Sequence, residues 1–130
     1  MKYADIRKHC LALPGATVNI QWGNDHVFKV GGKMFAVVDL ERPHSIAFKC
    51  TPETFGDLIE RRGIIPAPYM ARNMWVQEQQ LGEALERQEL EALIKTSYDL
   101  VVAKLPKRLQ PGARPAVSRV RKRTSASRKR

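Results

Sequence analysis

The stretch that decides the fold runs Val27-Phe28-Lys29-Val30-Gly31-Gly32-Lys33-Met34-Phe35-Ala36-Val37-Val38. Gly31 and Gly32 can adopt the two positive φ angles of a type I′ turn, whose twist suits two adjoining antiparallel strands. β-Branched and aromatic residues flank the pair on both sides, as they do in strands. The sequence therefore predicts a β-hairpin in which Phe28 lies opposite Phe35. The face predicted for the core carries Phe28, Val30, Phe35 and Val37, and the opposite face carries Val27, Lys29, Met34, Ala36 and Val38.

Three segments around the hairpin have the residue pattern of helices. Apolar residues recur at three- and four-residue steps, which predicts helices over about 3–12, 51–61 and 85–104. Thr51 can cap the second helix. Pro52 can occupy its first turn, where backbone N–H groups have no partner within the helix and proline's lack of one costs nothing. The third helix is predicted to be the longest and to lie across the sheet.

Other segments have the residue pattern of strands. β-Branched or alternating residues predict further strands over about 17–22, 45–50 and 73–79. Pro66 and Pro68 cannot donate backbone hydrogen bonds, so 64–72 is predicted to be an extended loop and 73–79 an edge strand. The predicted fold is α+β, with an antiparallel meander sheet and helices packed on one of its faces.

Two lysines of the predicted strands share the side of the sheet away from the helices. Lys29 and Lys49 both point there by strand alternation. Ala36 and Ala47, which are predicted to lie on the same side, are too small to cover them. The sequence therefore predicts an open and modestly basic sheet face.

The positive charge of the chain is concentrated at its end. Residues 1–104 contain 13 Lys and Arg against 13 Asp and Glu, whereas residues 105–130 contain 10 Lys and Arg and no acid. Apolar spacing also stops after Pro106, and Pro, Ser, Ala and Gly alternate with the cations. Such a composition predicts a disordered basic tail. We therefore expect one folded domain over 1–109 and a tail over 110–130.

Several classes of protein are disfavoured by the sequence. No apolar run of about 18 residues is present and no signal-peptide core follows the N-terminus, so we expect a cytoplasmic location. Cys10 and Cys50 form no CxxC pair, and His9, His26 and His44 show no metal-ligand spacing. No nucleophile or phosphate-loop motif is present. We expect no enzyme activity, no cofactor and no metal.

The sequence resembles the MmcQ/YjbR family in several stretches. They are Leu13-Pro14-Gly15-Ala16, Trp22-Gly23, residues 27–36, Gly63-Ile64-Ile65-Pro66 and residues 97–107. The resemblance covers residues 1 to about 109 and leaves the tail outside the family pattern. It implies a frataxin-like (CyaY-like) fold and DNA binding through a double-wing arrangement of sheet and loops. The frataxin likeness also raises iron binding, which we reject because the first helix offers one acid, Asp5, among basic residues.

The candidate binding residues are basic or aromatic. Phosphate contacts are expected from Lys29, Lys33, Lys49 and Arg72 on the sheet face and its loop, from Lys104, Lys107 and Arg108 after the long helix, and from Arg119, Arg121, Lys122, Arg123, Arg128, Lys129 and Arg130 in the tail. Trp75 could stack on an unpaired base, whereas packing is favoured for Trp22. The expected partner is DNA, with RNA as a further possibility, and a monomer is favoured.

Alternative interpretations remain open at this point. Each lysine of the folded part can be an ordinary solvated side chain, and the tail can serve solubility or bind acidic proteins or anionic lipid. The tail has no apolar face for membrane insertion. The main alternative function is a protein- or small-ligand-binding adaptor with the same fold, whose tail gives only nonspecific association with polyanions.

Overall fold

The computed structural model describes residues 2–21, 23–41 and 43–111. These residues form a six-stranded antiparallel sheet with three α-helices on one of its faces, which confirms the predicted α+β class. The helices are α1 (Tyr3–Leu11), α2 (Pro52–Leu58) and α3 (Arg87–Ala103). The strands are β1 (Ala16–Gln21), β2 (Asp25–Val30), β3 (Lys33–Asp39), β4 (Ser45–Lys49), β5 (Ile64–Pro66) and β6 (Trp75–Glu78). Single-turn 3₁₀ helices lie at Ala71–Asn73 and Lys107–Leu109.

The strand order departs from the predicted meander at one edge. It is β1-β2-β3-β4-β6-β5, so β6 lies inside the sheet and β5 is the edge strand. The predicted loop over 64–72 was therefore wrong at its start, where β5 forms. The strand predicted over 73–79 is confirmed as β6, but its predicted place at the edge was wrong. Pro66 is compatible with β5 because it is the last residue of a three-residue strand at the edge, where donors are needed on one side only.

The local signals at α2 are confirmed. The Thr54 backbone N–H donates a hydrogen bond to the Thr51 hydroxyl at 3.2 Å, and Pro52 occupies the first turn. The helix ends at Leu58, three residues before the predicted end. Leu58 is buried and packs this short helix against the core.

The hairpin forms at the predicted turn but with a different register. The two turn glycines have φ angles of 56° and 81°, as a type I′ turn requires. Lys29 pairs with Met34, but Phe28 pairs with Ala36, so β3 contains one extra residue, Phe35. The predicted pairing of Phe28 with Phe35 was wrong because a β-bulge interrupts the ladder here.

The bulge changes which residues of β3 face the helices. Phe35 and Ala36 both belong to the core beneath the helices, followed by Val38, whereas Val37 belongs to the opposite face. The faces predicted for Ala36, Val37 and Val38 were therefore wrong, and the rest of the predicted core face is confirmed. The core on the helix side contains Ile6, Cys10, Phe28, Val30, Phe35, Ala36, Val38, Ile46, Phe48, Cys50, Leu58, Ile64, Val76, Leu85, Leu90, Ile94, Tyr98 and Leu105.

A serine of α3 bridges the two strands beside the bulge. β3 and β4 pair as far as Ala36 and Phe48, and the same register would next pair Phe35 with Lys49. Ser97 lies between these two residues instead. Its hydroxyl donates to the Phe35 carbonyl oxygen at 2.6 Å and accepts from the Lys49 backbone N–H at 3.0 Å. Because Ser97 is completely buried, this bridge forms away from water and ties α3 to both strands.

The face of the sheet away from the helices carries a second, smaller apolar cluster, which we call the outer cluster. It consists of the buried residues Val27, Val37, Ala47, Ala67 and Trp75 with the partly buried Met34 and Met70. The segment after β5 folds over the sheet to supply Ala67 and Met70. The predicted open basic face is therefore partly covered, and Lys29 and Lys49 remain half-exposed at its hairpin end.

Within the described residues, no helix combines the length and the apolar character that a bilayer span requires. A gathering of three or more His, Cys, Asp or Glu side chains that could hold a metal ion is also absent from this part of the chain.

Candidate functional site: a lysine-lined cleft

Five of the predicted binding residues come together at the hairpin end of the sheet. They line an open cleft of about 530 Å³ between the end of the sheet and the end of α3, which we call the lysine cleft. Its lining residues are Lys29, Gly32, Lys33, Met34, Lys49, Asn73, Trp75, Leu100, Val101, Lys104 and Leu105. The predicted site residues among them are Lys29, Lys33, Lys49, Trp75 and Lys104.

The charge of the lysine cleft is not balanced locally. Four lysines and no acidic residue line it in the part of the chain that the structure describes. The ion pairs among the described residues lie outside the cleft. They join Arg61 with Glu89, Arg87 with Asp5 and Glu91, and Lys95 with Asp99. The four ammonium groups therefore create a positive potential in a depression that is partly shielded from water.

Lys49 is held in place by both its backbone and its side chain. Its backbone N–H is bonded to Ser97, as described above. Its Nζ donates a hydrogen bond to the Asn73 carbonyl oxygen at 3.0 Å, and Asn73 also lines the cleft. An ammonium group can donate three hydrogen bonds, so Lys49 keeps donors for an anion in the cleft.

The turn of the hairpin is packed against the end of α3. A Cβ atom on Gly31 would lie 2.6 Å from Cδ1 of Leu105, so any larger residue would be strained at this positive φ angle and would displace the Leu105 side chain. Lys33 follows the turn, and Lys104 precedes Leu105. The contact between Gly31 and Leu105 thus brings lysines that are 71 positions apart to one cleft.

Trp75 lines the lysine cleft but offers little open surface. Only 6% of it is exposed, because it also belongs to the outer cluster. The predicted stacking of Trp75 on an unpaired base needs an open ring face, which Trp75 does not offer in this arrangement. Its contribution to the cleft is an apolar surface beside Lys49, with which it is paired in the sheet.

The other predicted residues do not line the cleft or lie outside the described residues. Arg72 is exposed in the 3₁₀ helix that ends at Asn73, and Lys107 and Arg108 are exposed in the 3₁₀ helix that follows Leu105. Trp22 and the tail residues Arg119, Arg121, Lys122, Arg123, Arg128, Lys129 and Arg130 fall outside the described residues.

Buried titratable groups serve the core rather than the cleft. Burial raises the pKa of the Cys10 thiol to about 12 and that of the Cys50 thiol to about 11. Both cysteines are free and buried, which keeps them protonated and unreactive at neutral pH. Glu78 is a completely buried acid that sequence reasoning missed, and its carboxylate accepts backbone hydrogen bonds from Gly82, Ala84 and Leu85 at 2.7–3.1 Å.

The fold and the cleft define a small α+β domain with a basic, apolar-walled depression at one end of its sheet. A family model described as YjbR matches residues 11–100. The chain belongs to the YjbR family, which confirms the resemblance seen in the sequence. Among curated proteins, no sequence matches the chain.

Solved structures share this fold. A Deinococcus radiodurans protein with a DUF419 domain is similar with a TM-score of 0.76 and 25% identity, over 91% of this chain and 95% of that one. A crystal structure from Pseudomonas syringae gives a TM-score of 0.65 at 22% identity, over 77% of this chain and 98% of the other. A solution structure from the same organism gives 0.62 at 22% identity, over 77% and 92%.

Proposed function

We propose that the protein binds DNA with low sequence specificity, through phosphate contacts from the lysine cleft, the adjoining loop and the basic tail. The observation that carries the proposal is the lysine cleft, in which four lysines are gathered without a lining acid among the described residues. Phosphate contacts fix position on DNA but carry no sequence information directly. Low specificity follows from this type of contact.

The tail and the folded domain make different contributions. Residues 110–130 hold 8 of the 23 basic residues and no acid, so most of the electrostatic affinity is assigned to them. Each phosphate that a protein neutralises adds about 0.9 to the slope of log affinity against log salt concentration. The lysine cleft adds fewer cations but places them at fixed positions, so it orients the DNA on the domain.

The first experiment separates the domain from the tail. The full chain and a shortened chain of residues 1–111 are titrated with duplex and single-stranded DNA in mobility-shift assays at two salt concentrations. The cut follows Pro111 because Gln110 Nε2 still donates a hydrogen bond to the Leu105 carbonyl oxygen, and Pro111 lies against Gly15. Binding by both chains supports a DNA-binding domain. Binding by the full chain alone assigns DNA binding to the tail, and failure of both at low salt refutes the proposal.

A second experiment tests the cleft itself. Lys33 and Lys104 are exposed, so changing both to glutamine leaves the core intact and removes two cations from the cleft. Lys2 and Lys8 are exposed at α1 and do not line the cleft, so their double glutamine variant removes the same charge elsewhere. We expect the cleft variant to reduce the salt slope by about two and the control to change it less. Equal effects would mean that only net charge matters.

The alternative function is an adaptor that binds a protein or a small ligand. The volume of the lysine cleft, about 530 Å³, lies within the range of about 300–1,000 Å³ that is typical of small-molecule sites. This alternative predicts that the shortened chain fails to bind DNA at low salt while its cleft still binds a small anion such as inorganic phosphate. Isothermal titration of the shortened chain with phosphate, combined with the DNA titration of the same chain at low salt, distinguishes the two functions.

A further inference from the structure

The two edges of the sheet differ in how well they are protected against pairing with another chain. β5 has three residues and ends at Pro66, so it offers few backbone groups to a further strand. β1 has six residues and, among the described residues, pairs with β2 alone. An edge strand presents a row of unpaired N–H and C=O groups on its outer side. β1 is therefore the edge at which the sheet can be extended.

β1 lacks the features that keep many edge strands from pairing. Its sequence, ATVNIQ, contains no charged residue and no proline. Its register with β2 is continuous over all six residues, so no bulge bends it away. Thr17, Asn19 and Ile20 are exposed. Neither the charge nor the shape of β1 therefore opposes a further strand.

β1 also exposes a large apolar side chain. Ile20 is 66% exposed. Ala16 and Val18 pack against the core on the helix side, and strand alternation places Ile20 on the same side. Residues directly opposite each other in an antiparallel pair lie on the same face of the sheet. A second β1 strand would therefore bring Val18 and Ile20 of the two copies together and withdraw Ile20 from water.

The charges of the domain favour antiparallel pairing of two copies. The lysine cleft lies at the end of β1 where Ala16 pairs with Val30. The acidic end lies where Gln21 pairs with Asp25, which in turn pairs with Asp39. Antiparallel β1 strands place the basic end of each copy beside the acidic end of the other, with the two β2 strands three strand spacings, or about 14 Å, apart. Parallel pairing would place the two clefts side by side, where like charges repel.

We propose that two copies of the chain pair through β1 in antiparallel orientation, which joins their sheets into one continuous sheet. A two-fold axis perpendicular to the sheet relates the copies, so the same strand serves both sides of the interface. One strand from each copy makes a small interface, below about 1,200 Å², so the dimer is weak. At physiological salt the Debye length is about 8 Å, so the charged ends set the orientation and add little affinity. Such a dimer carries two lysine clefts.

The test measures the oligomeric state of the full chain without DNA. Analytical ultracentrifugation from micromolar to millimolar protein should show a sedimentation coefficient that rises with concentration. We expect Ile20→Lys to weaken the dimer by about tenfold or more, because lysine on an edge strand opposes pairing. Asn19→Lys should weaken it as well, since Asn19 is exposed on the other face of the same strand. Thr96→Lys is the matched control, because it adds the same charge at an exposed position of α3.

Amide chemical shifts of the full chain locate the interface. On dilution they should change along β1 and stay constant at Ile64 and Ile65 of the other edge. A chain that stays monomeric at millimolar concentration overturns the inference, as does a dimer that both β1 variants leave intact or that Thr96→Lys weakens equally. If the full chain is monomeric and the chain of residues 1–111 dimerises, the tail covers the edge and the inference is also overturned. None of these results depends on DNA, so the proposed function is tested separately.

Discussion

Ser97→Ala tests the bridge that joins α3 to the sheet beside the lysine cleft. The substitution removes one hydroxyl and adds no bulk, so its effect reports the two hydrogen bonds to Phe35 and Lys49. It leaves the Phe35 carbonyl oxygen and the Lys49 backbone N–H without a partner. Each unsatisfied group of this kind costs about 1–3 kcal/mol.

The net loss is smaller than the sum of the two costs. The higher helix propensity of alanine recovers about half a kcal/mol, and closer approach of β3 and β4 can restore part of the bonding. We therefore expect the free energy of unfolding to fall by about 2–4 kcal/mol, which is a large share of the roughly 5–15 kcal/mol typical of a domain. For a domain of this size, the melting temperature should fall by about 8 °C or more.

Urea unfolding followed by circular dichroism measures this change, and Thr96→Ala provides the control. Thr96 is the exposed neighbour of Ser97 on α3, so its replacement should alter stability by less than about 0.7 kcal/mol. A loss below about 0.5 kcal/mol for Ser97→Ala, with an unchanged denaturant slope, would refute the idea that the hydroxyl satisfies both strands. Loss of stability in both variants would instead indicate a general sensitivity of α3.

Three further predictions follow from single side chains. Gly31→Ala should destabilise the fold more than Gly32→Ala, because both glycines have positive φ angles but only a Cβ at Gly31 would meet Leu105; thermal melting compares the pair. Glu78→Gln should cost about 1–3 kcal/mol in urea unfolding, because in either orientation of the amide its nitrogen faces at least one backbone N–H that the carboxylate now accepts. Burial raises the pKa of Cys10 from 9.0 to about 12, so the unfolded chain loses this proton first as pH rises. Stability should therefore decline from about pH 9 towards pH 12, by up to about 1.4 kcal/mol per pH unit, and Cys10→Ala should remove this contribution from the pH dependence.

The sequence predicted those parts of the fold that depend on local chemistry. The turn at Gly31-Gly32 and the Thr51 cap were correct because each depends on residues within a few positions. The register of the hairpin was not predictable in this way. The bulge at Phe35 is stabilised by Ser97, which is 62 positions away, and no local pattern reports such a partner.

The candidate site likewise has features that follow from local sequence and features that depend on distant residues. Residue type and strand alternation singled out Lys29, Lys49 and Trp75, but the gathering of these residues depends on the packing of the turn against the end of α3. Glu78 left a signal that could have been read, because strand alternation places this charged residue on the same face as the core residue Val76.

The distribution of charge within the folded domain has a consequence for how a polyanion approaches it. At the end of the hairpin opposite the lysine cleft, Asp25 pairs with Asp39 in the sheet. The pKa of Asp25 is raised by desolvation and by the charges of Asp39 and Glu41, so this end is negative. The two ends are separated by about five residues of β2, or roughly 17 Å.

At physiological salt the Debye length is about 8 Å, so the acidic end does not cancel the attraction of the cleft for a phosphate. At low salt both ends act at longer range, and a polyanion is repelled from one end and drawn to the other. A domain whose first 104 residues have no net charge can therefore still orient a polyanion towards its lysine cleft.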